Sequence, residues 1–554
     1  MSHPAAPSLG QHAQENRPPK RGIRVSLLTL YIYQSLGMRQ IGSVLRAAGH
    51  EPLFVFLKEF RLGRFSGVTP REEELLLALL RDLKPDLVGI SLTSSFTADL
   101  AFHLADRIRE SSGLPVVVGG PHASAAPEEC LEHADFVCVG EGDEAIVDLA
   151  DALSRGEPTA GIANLWSRVN GEIRRNDVRP LAQDLDAYPP IAYGEAESYY
   201  IEDERLRKVD PAALGDMYQT TASRMCCPFG CTFCAAVWLR RGLYAGKGKV
   251  CRYRSVDKVV EEIERARRVN PNIRLVRFWD EIFGVGAPRG WLDEFCERYT
   301  KKVGLPFEIW SHPAAITEDR IRKLRSAGLA AAWVGVESGS GKVRREVLNR
   351  RETDEVVLRA ADILHRHGVE AGYEFILDIP WLAEENRRGT FELIMRLPRP
   401  FQVHLHSLSL LPRTVLAERA VSEGLIKREQ IGLRDRPLVD RFASHFWQHH
   451  LEIRSRRAAF WHSLIYLAGM PSVPRSLLWM AYRLRSLLLL CPRALMLAAE
   501  IAGARNAAGE TKYFPPLARV YPGVAGYLSR HPALARASNW LVRRLVRLAR
   551  RVFA

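Results

Sequence analysis

Residues 224–238, RMCCPFGCTFCAAVW, hold four of the chain's nine cysteines within nine positions. Reading back from Cys234 gives Cys227-x3-Cys231-x2-Cys234, three thiols on one short loop. Pro228 and Gly230 mark that stretch as loop rather than core helix. Structural zinc takes four closed protein ligands, and no fourth Cys or His stands at zinc-finger distance. Three thiolates suit an iron–sulfur cubane that leaves one iron open to a small molecule. A register through Cys226 is the alternative; the Cys227 register is expected, with Cys226 a neighbouring spectator. Disulfides are not expected. The other five cysteines (Cys130, Cys138, Cys251, Cys296, Cys491) lie far apart, in a 554-residue chain too long to need staples. The opening residues are polar and show no apolar signal core, so a reducing cytoplasm is the expected compartment.

Such a loop needs a scaffold that aims it. After it come short apolar runs at 273–283 (IRLVRFWDEIF), 307–313 (FEIWSHP), 331–340 (AAWVGVESGS), 371–380 (AGYEFILDIP) and 401–411 (FQVHLHSLSLL). Amphipathic stretches such as ITEDRIRKLRSAGL and TDEVVLRAADILHRHGV separate them. Alternation of this kind reads as parallel βα units, whose ligands belong at the strand C-termini.

CCPFGCTFC resembles the signature of radical S-adenosylmethionine (SAM) enzymes. The resemblance implies a partial TIM-like barrel and a [4Fe-4S] cluster on Cys227, Cys231 and Cys234. The cluster chelates SAM, and reductive cleavage yields methionine and a 5′-deoxyadenosyl radical. It also implies that Phe233 packs near the adenine, that Asp280 and Glu281 lie near the SAM amino end, and that Glu337 and Ser338 sit at the ribose. Helix capping is the competing role for Asp280 and Glu281. His404 and His406 alternate onto one strand face and are candidates to face substrate. Relatives often carry Gly-x-Pro-Gly-Glu-Thr where this chain reads DIPWLAEEN, so Asp378 and Trp381 inherit no role.

The N-terminal third adds further strand-like runs. IRVSLLTLY, PDLVGISLTSS, LPVVVGGPHAS and ADFVCVGEGDEA are apolar and end in small residues, with helical pattern between them. This predicts a doubly wound, Rossmann-like parallel sheet whose loops let a ligand approach the backbone. No Gly-x-Gly-x-x-Gly opens a helix, so a dinucleotide fingerprint is absent. GGPHAS, GEGDEA and the later LDAYPPIAY resemble the cobalamin-binding domain fused ahead of many radical SAM enzymes. That resemblance implies cobalamin contacts at Thr93, Ser94, Ser95, Gly119, Gly120, Gly140, Glu141 and Gly142. The Asp-x-His-x-x-Gly motif is missing, so no histidine is expected beneath the cobalt.

From residue 441 to the end there are 18 Lys and Arg against three Glu and no Asp, which accounts for the chain's whole formal charge of +14. Leu, Ala and Trp crowd among those arginines. Arginines and Pro492 interrupt the apolar runs, so a spanning helix is not expected. A peripheral contact with an anionic membrane fits best. A cap packed on the protein is the second reading and RNA the third. In WLVRRLVRLARRVF, Leu541, Leu545, Leu548 and Val552 form one helical stripe.

The expected α/β organisation is a disordered tail at 1–20, a cobalamin-binding domain at 21–180 and a linker at 181–215. A radical SAM domain at 216–430 and a basic, amphipathic helical region at 431–554 complete it. The expected activity is cobalamin-dependent methylation of an unactivated carbon in a hydrophobic, lipid- or isoprenoid-like substrate. Electrons would come from a flavodoxin or ferredoxin. Oxidative cyclisation or ring and carbon–carbon bond formation is the alternative chemistry; a non-catalytic metal- or RNA-binding module is the alternative of another class.

Overall fold

The computed structural model describes residues 22–59, 67–433, 456–469 and 473–488. The expected tail at 1–20 and the stripe on 541–552 lie outside them.

Runs that are apolar on both faces build the first sheet, as a parallel sheet covered by helices requires. They are β1 (Arg24–Leu30), β2 (Glu51–Leu57), β3 (Leu87–Ser91), β4 (Val116–Gly119) and β5 (Phe136–Cys138). β6 (Leu165–Val169), β7 (Glu172–Arg175), β8 (Ser198–Glu202) and β9 (Arg205–Arg207) extend it. The order is β7-β6-β5-β4-β3-β1-β2-β8-β9, antiparallel only at β6, β7 and β9. β1 lies between β2 and β3, so the winding reverses there and a crevice opens at the strand C-termini. The expected linker at 181–215 is not merely a linker. Its SYYIE run pairs with β2 and buries Tyr200 and Ile201, covering an edge that would otherwise leave backbone groups unpaired.

The second sheet holds β10 (Met217–Thr220), β13 (Leu275–Phe278), β14 (Phe307–Ser311), β15 (Leu329–Glu337), β16 (Glu370–Ile376) and β17 (Gln402–His406). These six strands are all parallel and pair in chain order. A short antiparallel pair, β11 (Ser223–Arg224) with β12 (Arg252–Tyr253), brackets the cysteine loop. Alternation divides the six strands into two faces. Val276, Phe278, Ile309, Val334, Tyr373, Phe375, Val403 and Leu405 belong to the apolar core beneath the helices. Arg277, Glu308, Trp310, Trp333, Glu374 and His404 stand on the other face.

The described part of the basic C-terminal region is helical, as expected, and docks on the barrel. Helix Arg456–Ala468 buries Trp461, whose ring lies near Phe391 of helix Ala383–Ile394 and Tyr482 of helix Arg475–Arg483. Among the described residues no helix is long and apolar enough to cross a membrane.

Candidate active site

The cysteine loop runs from β11 to the short helix Ala235–Trp238. It is pinned along its length. Phe229 stacks on His312 with ring centroids 3.8 Å apart, Asn349 Nδ2 donates to the Gly230 carbonyl at 2.8 Å, and Thr232 Oγ1 donates to the Val347 carbonyl at 2.6 Å. Cys227, Cys231 and Cys234 are free thiols. Burial pushes the Cys231 thiol up to about 11, against the Arg350 guanidinium 3.7 Å from its sulfur. Cys234 is raised too, by burial first and then against a lowering contact from the Ala236 amide and a raising one from Cys227. Thiols held this way, one buried and two half-buried, ionise readily only beside a cation, and a soft iron–sulfur cluster is the matching one. Among the described residues no three Cys, His, Asp or Glu converge on a single ion.

Cys226 corrects the expectation of a chain without disulfides. The Arg224–Arg252 register of β11 and β12 brings Cys226 to Cys251, Cα atoms 4.2 Å apart, and the two are bonded. Its sulfur is thereby turned out of the loop, leaving the register through Cys227.

Asp280 takes a structural position of the kind its capping alternative anticipates. It is buried, and its carboxylate accepts from the Ala222 amide at 2.9 Å and from the Ser223 hydroxyl. Burial lifts its pKa to about 6 against those donors. Both oxygens brace the segment entering the cysteine loop. Glu281 is exposed and accepts from the Cys226 amide at 3.4 Å. Ser338 takes a structural position too: fully buried, it donates to Asn386 Oδ1 at 2.5 Å and accepts from the Ser340 amide at 3.1 Å. Glu337 ends β15. The register of β15 shifts between Gly335 and Glu337, and Glu337 has φ of +67°, a bulge that re-aims one side chain. A Cβ on Gly335 would lie 2.6 Å from Glu337 Oε1, so only glycine leaves room for that carboxylate. Burial raises Glu337 to about 7, with Arg350 at 3.7 Å opposing. Phe233 packs against the apolar group of Val343, Val347, Leu348 and Ile376.

The loops of the first sheet meet the cysteine loop. Thr93 is exposed, Ser94 Oγ caps the Phe96 amide at 3.2 Å, and buried Ser95 pairs its hydroxyl with His122 Nδ1 at 2.8 Å. Ser95 is thus committed inward rather than to a ligand. His122 Nε2 faces Glu129 at 3.6 Å, so the loop's histidine points into the domain. Gly119 has open space, since its nearest neighbour to an added Cβ is Cys138 Cβ at 3.5 Å. Gly120, with φ of +114°, would drive a Cβ to 2.8 Å from the Leu92 carbonyl oxygen. Gly140 lies under Tyr244 Oη, which also accepts from the Glu141 amide at 2.5 Å. Gly142 precedes helix Asp143–Arg155. Glu141 binds Arg252 at 2.5 Å, and Asp143 binds Arg224 at 2.8 Å. Loop 140–143 is thereby clamped to β11 and β12 on either side of the cysteines.

Residues 27–150 match the B12 binding domain family, and residues 225–394 match the Radical SAM superfamily. The chain joins a B12 binding domain to a radical SAM domain. An uncharacterized methyltransferase of Pyrococcus horikoshii is 26% identical over 353 residues, 63% of this chain and 72% of that protein. Bacteriochlorophyllide d C-8(2)-methyltransferase of Chlorobaculum tepidum is 26% identical over 310 residues, 52% of this chain and 59% of that protein. The structure of the radical SAM methyltransferase TsrM from Kitasatospora setae, with cobalamin and a [4Fe-4S] cluster bound, superposes with a TM-score of 0.57 at 19% identity, covering 72% of this chain and 78% of TsrM. These two domains bring SAM, a [4Fe-4S] cluster and cobalamin as cofactors.

Several residues of this radical SAM enzyme carry no motif signal. Arg350 joins the Cys231 sulfur, Glu337, Glu352 at 2.6 Å and the Gly335 carbonyl at 2.5 Å. Arg224, Arg252 and Tyr244 join the two domains. His404 and His406 share the inner face, as expected. His404 stacks on Trp333 at 4.3 Å and lies 3.8 Å from Glu374. Burial opposes the charge of Glu374, but the His404 hydrogen bond and the His406 charge hold its pKa below the ordinary range. Only the pairing of β16 with β17 reveals that Glu374 stands opposite His404.

Proposed function

We propose that this enzyme methylates an unactivated carbon of a hydrophobic, lipid- or isoprenoid-like substrate. The observation that carries the reading is the clamp between loop 140–143 and the cysteine loop, through Glu141–Arg252 and Asp143–Arg224. It sets loop 140–143, one of the proposed corrin loops, against the two strands that bracket the proposed cluster loop. Cys227, Cys231 and Cys234 would hold the cluster, while Glu337 and Phe233 would take the ribose and adenine of SAM. Thr93, Gly119, Gly120 and Gly140 would border the corrin. When bound, the cofactors would relay the electron and supply the radical and the methyl group. The chain's own part is orientation: Arg350 holds Cys231 and Glu337 at fixed distance, and the clamp fixes one cofactor site against the other. A flavodoxin or ferredoxin would serve as electron partner.

Helix Arg475–Arg483 and the residues after it support a peripheral membrane contact. Leu477, Met480 and Leu484 are exposed, with Arg483 and Arg485 beside them. An apolar ridge among cations fits an anionic bilayer surface. Full-length protein should float with anionic vesicles at low salt and sink at high salt; recovery in the unbound fraction under both conditions refutes the contact. The test of function is anaerobic reconstitution with iron and sulfide, then incubation with SAM, methylcobalamin, a low-potential reductant and a lipid extract, followed by mass spectrometry. A lipid gaining one methylene unit supports the reading. SAM cleavage without any mass gain in the extract overturns it.

A further inference from the structure

The inner face of the barrel carries a row of rings, one from each of several neighbouring strands. Trp279 and Trp310 stack with centroids 4.2 Å apart and planes 16° from parallel. Trp310 and Trp333 follow at 6.2 Å and 28°, then Trp333 and His404 at 4.3 Å and 21°. Trp333 reaches His404 across β16 because Gly372 stands between them, where a Cβ would lie 2.1 Å from Trp333 Cε3. The small angles between their planes show that the rings lie face against face along the row. Every ring inside the row is covered on both sides. The end ring is not: Trp310 covers one face of Trp279, yet Trp279 remains 44% exposed, so its outer face is open.

That open ring is held in place. Its Nε1 donates to Gln219 Oε1, and the Arg277 guanidinium lies 5.9 Å from its centroid and 5.6 Å from that of Trp310. It directly precedes Asp280, whose carboxylate braces the entry to the cysteine loop. An exposed tryptophan face, immobilised at a strand C-terminus beside the proposed cofactors, has already lost the rotamer freedom that binding would otherwise cost. The natural occupant of such a face is one more parallel ring.

We infer that the substrate of this site carries a flat, conjugated ring system that stacks on the outer face of Trp279 and extends the row Trp279–Trp310–Trp333–His404 by one member. This rests on the proposed function and sharpens it, replacing hydrophobic substrates in general by those with a planar conjugated ring.

The test is equilibrium binding of protoporphyrin IX to full-length, cluster-reconstituted protein without SAM, read by tryptophan quenching and by the porphyrin absorption band. Wild type should bind saturably. Trp279→Ala should weaken binding about tenfold or more, Trp279→Phe about threefold or less, and Trp166→Ala on the first sheet not at all, with iron content per chain as the check on folding. Saturated cholestanol should fail to compete. No saturable binding by wild type, equal affinity in Trp279→Ala, or effective competition by cholestanol each overturns the inference. Because methyl transfer is not the readout, the two readings fail separately. Methylation of a saturated lipid by Trp279→Ala at the wild-type rate would leave the proposed function standing and remove the ring-stacking site.

Discussion

At the scale of single residues the site divides into cysteines that face the loop and one that does not. Cys226 is bonded to Cys251, so Cys226→Ser should retain most of the iron of wild type. Cys227→Ala, Cys231→Ala and Cys234→Ala should each lose nearly all of it after anaerobic reconstitution, measured as iron per chain, because two thiolates do not hold a stable cubane. Iron retained in Cys231→Ala would contradict the proposed ligand set. Glu337 carries a pH prediction. Its pKa of about 7 means a folded-state carboxyl that is mostly neutral at pH 6 and mostly ionised at pH 8. An ionised carboxylate is the stronger acceptor for ribose hydroxyls. SAM affinity should therefore rise with pH, by roughly tenfold between pH 6 and pH 8, following the ionised fraction. Titration calorimetry should show that part of the rise disappear in Glu337→Gln.

The element scale is governed by where strands leave room. Gly372 on β16 lets Trp333 of β15 lie flat across it, and Gly335 accommodates the re-aimed Glu337. Gly372→Ala should force Trp333 out of the row and cost about 1–3 kcal/mol by overpacking, seen as a lower urea midpoint. It should also redden tryptophan emission, because the displaced indole meets water. An unchanged midpoint and spectrum would mean that the row adjusts freely. Glycines of the first sheet act differently: Gly119 opens onto the crevice, whereas Gly140 is filled from the other side by Tyr244 of the cysteine domain.

For the whole molecule, the relation between two domains is the functional variable. Arg252 is almost wholly buried where it meets Glu141, and removing one partner of such a pair commonly costs about 3–5 kcal/mol. In Arg252→Ala, iron content should stay near wild type, since no proposed cluster ligand is paired with the Arg252 side chain. The ratio of methylated product to 5′-deoxyadenosine should fall several-fold, because the two cofactor sites are no longer held at fixed distance. A proportional loss of both products would instead mark Arg252 as a general stability residue.

Local chemistry made the cysteine spacing, the βα alternation and the small-residue loops legible, because each depends on neighbours close in the chain. The two-domain order and Glu337 at the end of its strand were both readable in that way. Pairing across long separations was not. Cys226 and Cys251 become partners only because β11 and β12 are neighbours, and residues 198–202 become a strand because β2 has an open edge. Asp280 looks like a ligand in the sequence, and burial against Ala222 and Ser223 turns it into a brace. Trp279, Trp310, Trp333 and His404 are scattered over more than a hundred residues, with no motif to join them. Sequence by itself determined the types of donor, the periods of the strands and the kind of chemistry. Tertiary structure alone decided which donors remain open to a ligand, because burial and cross-strand contact are properties of residues brought together by the fold.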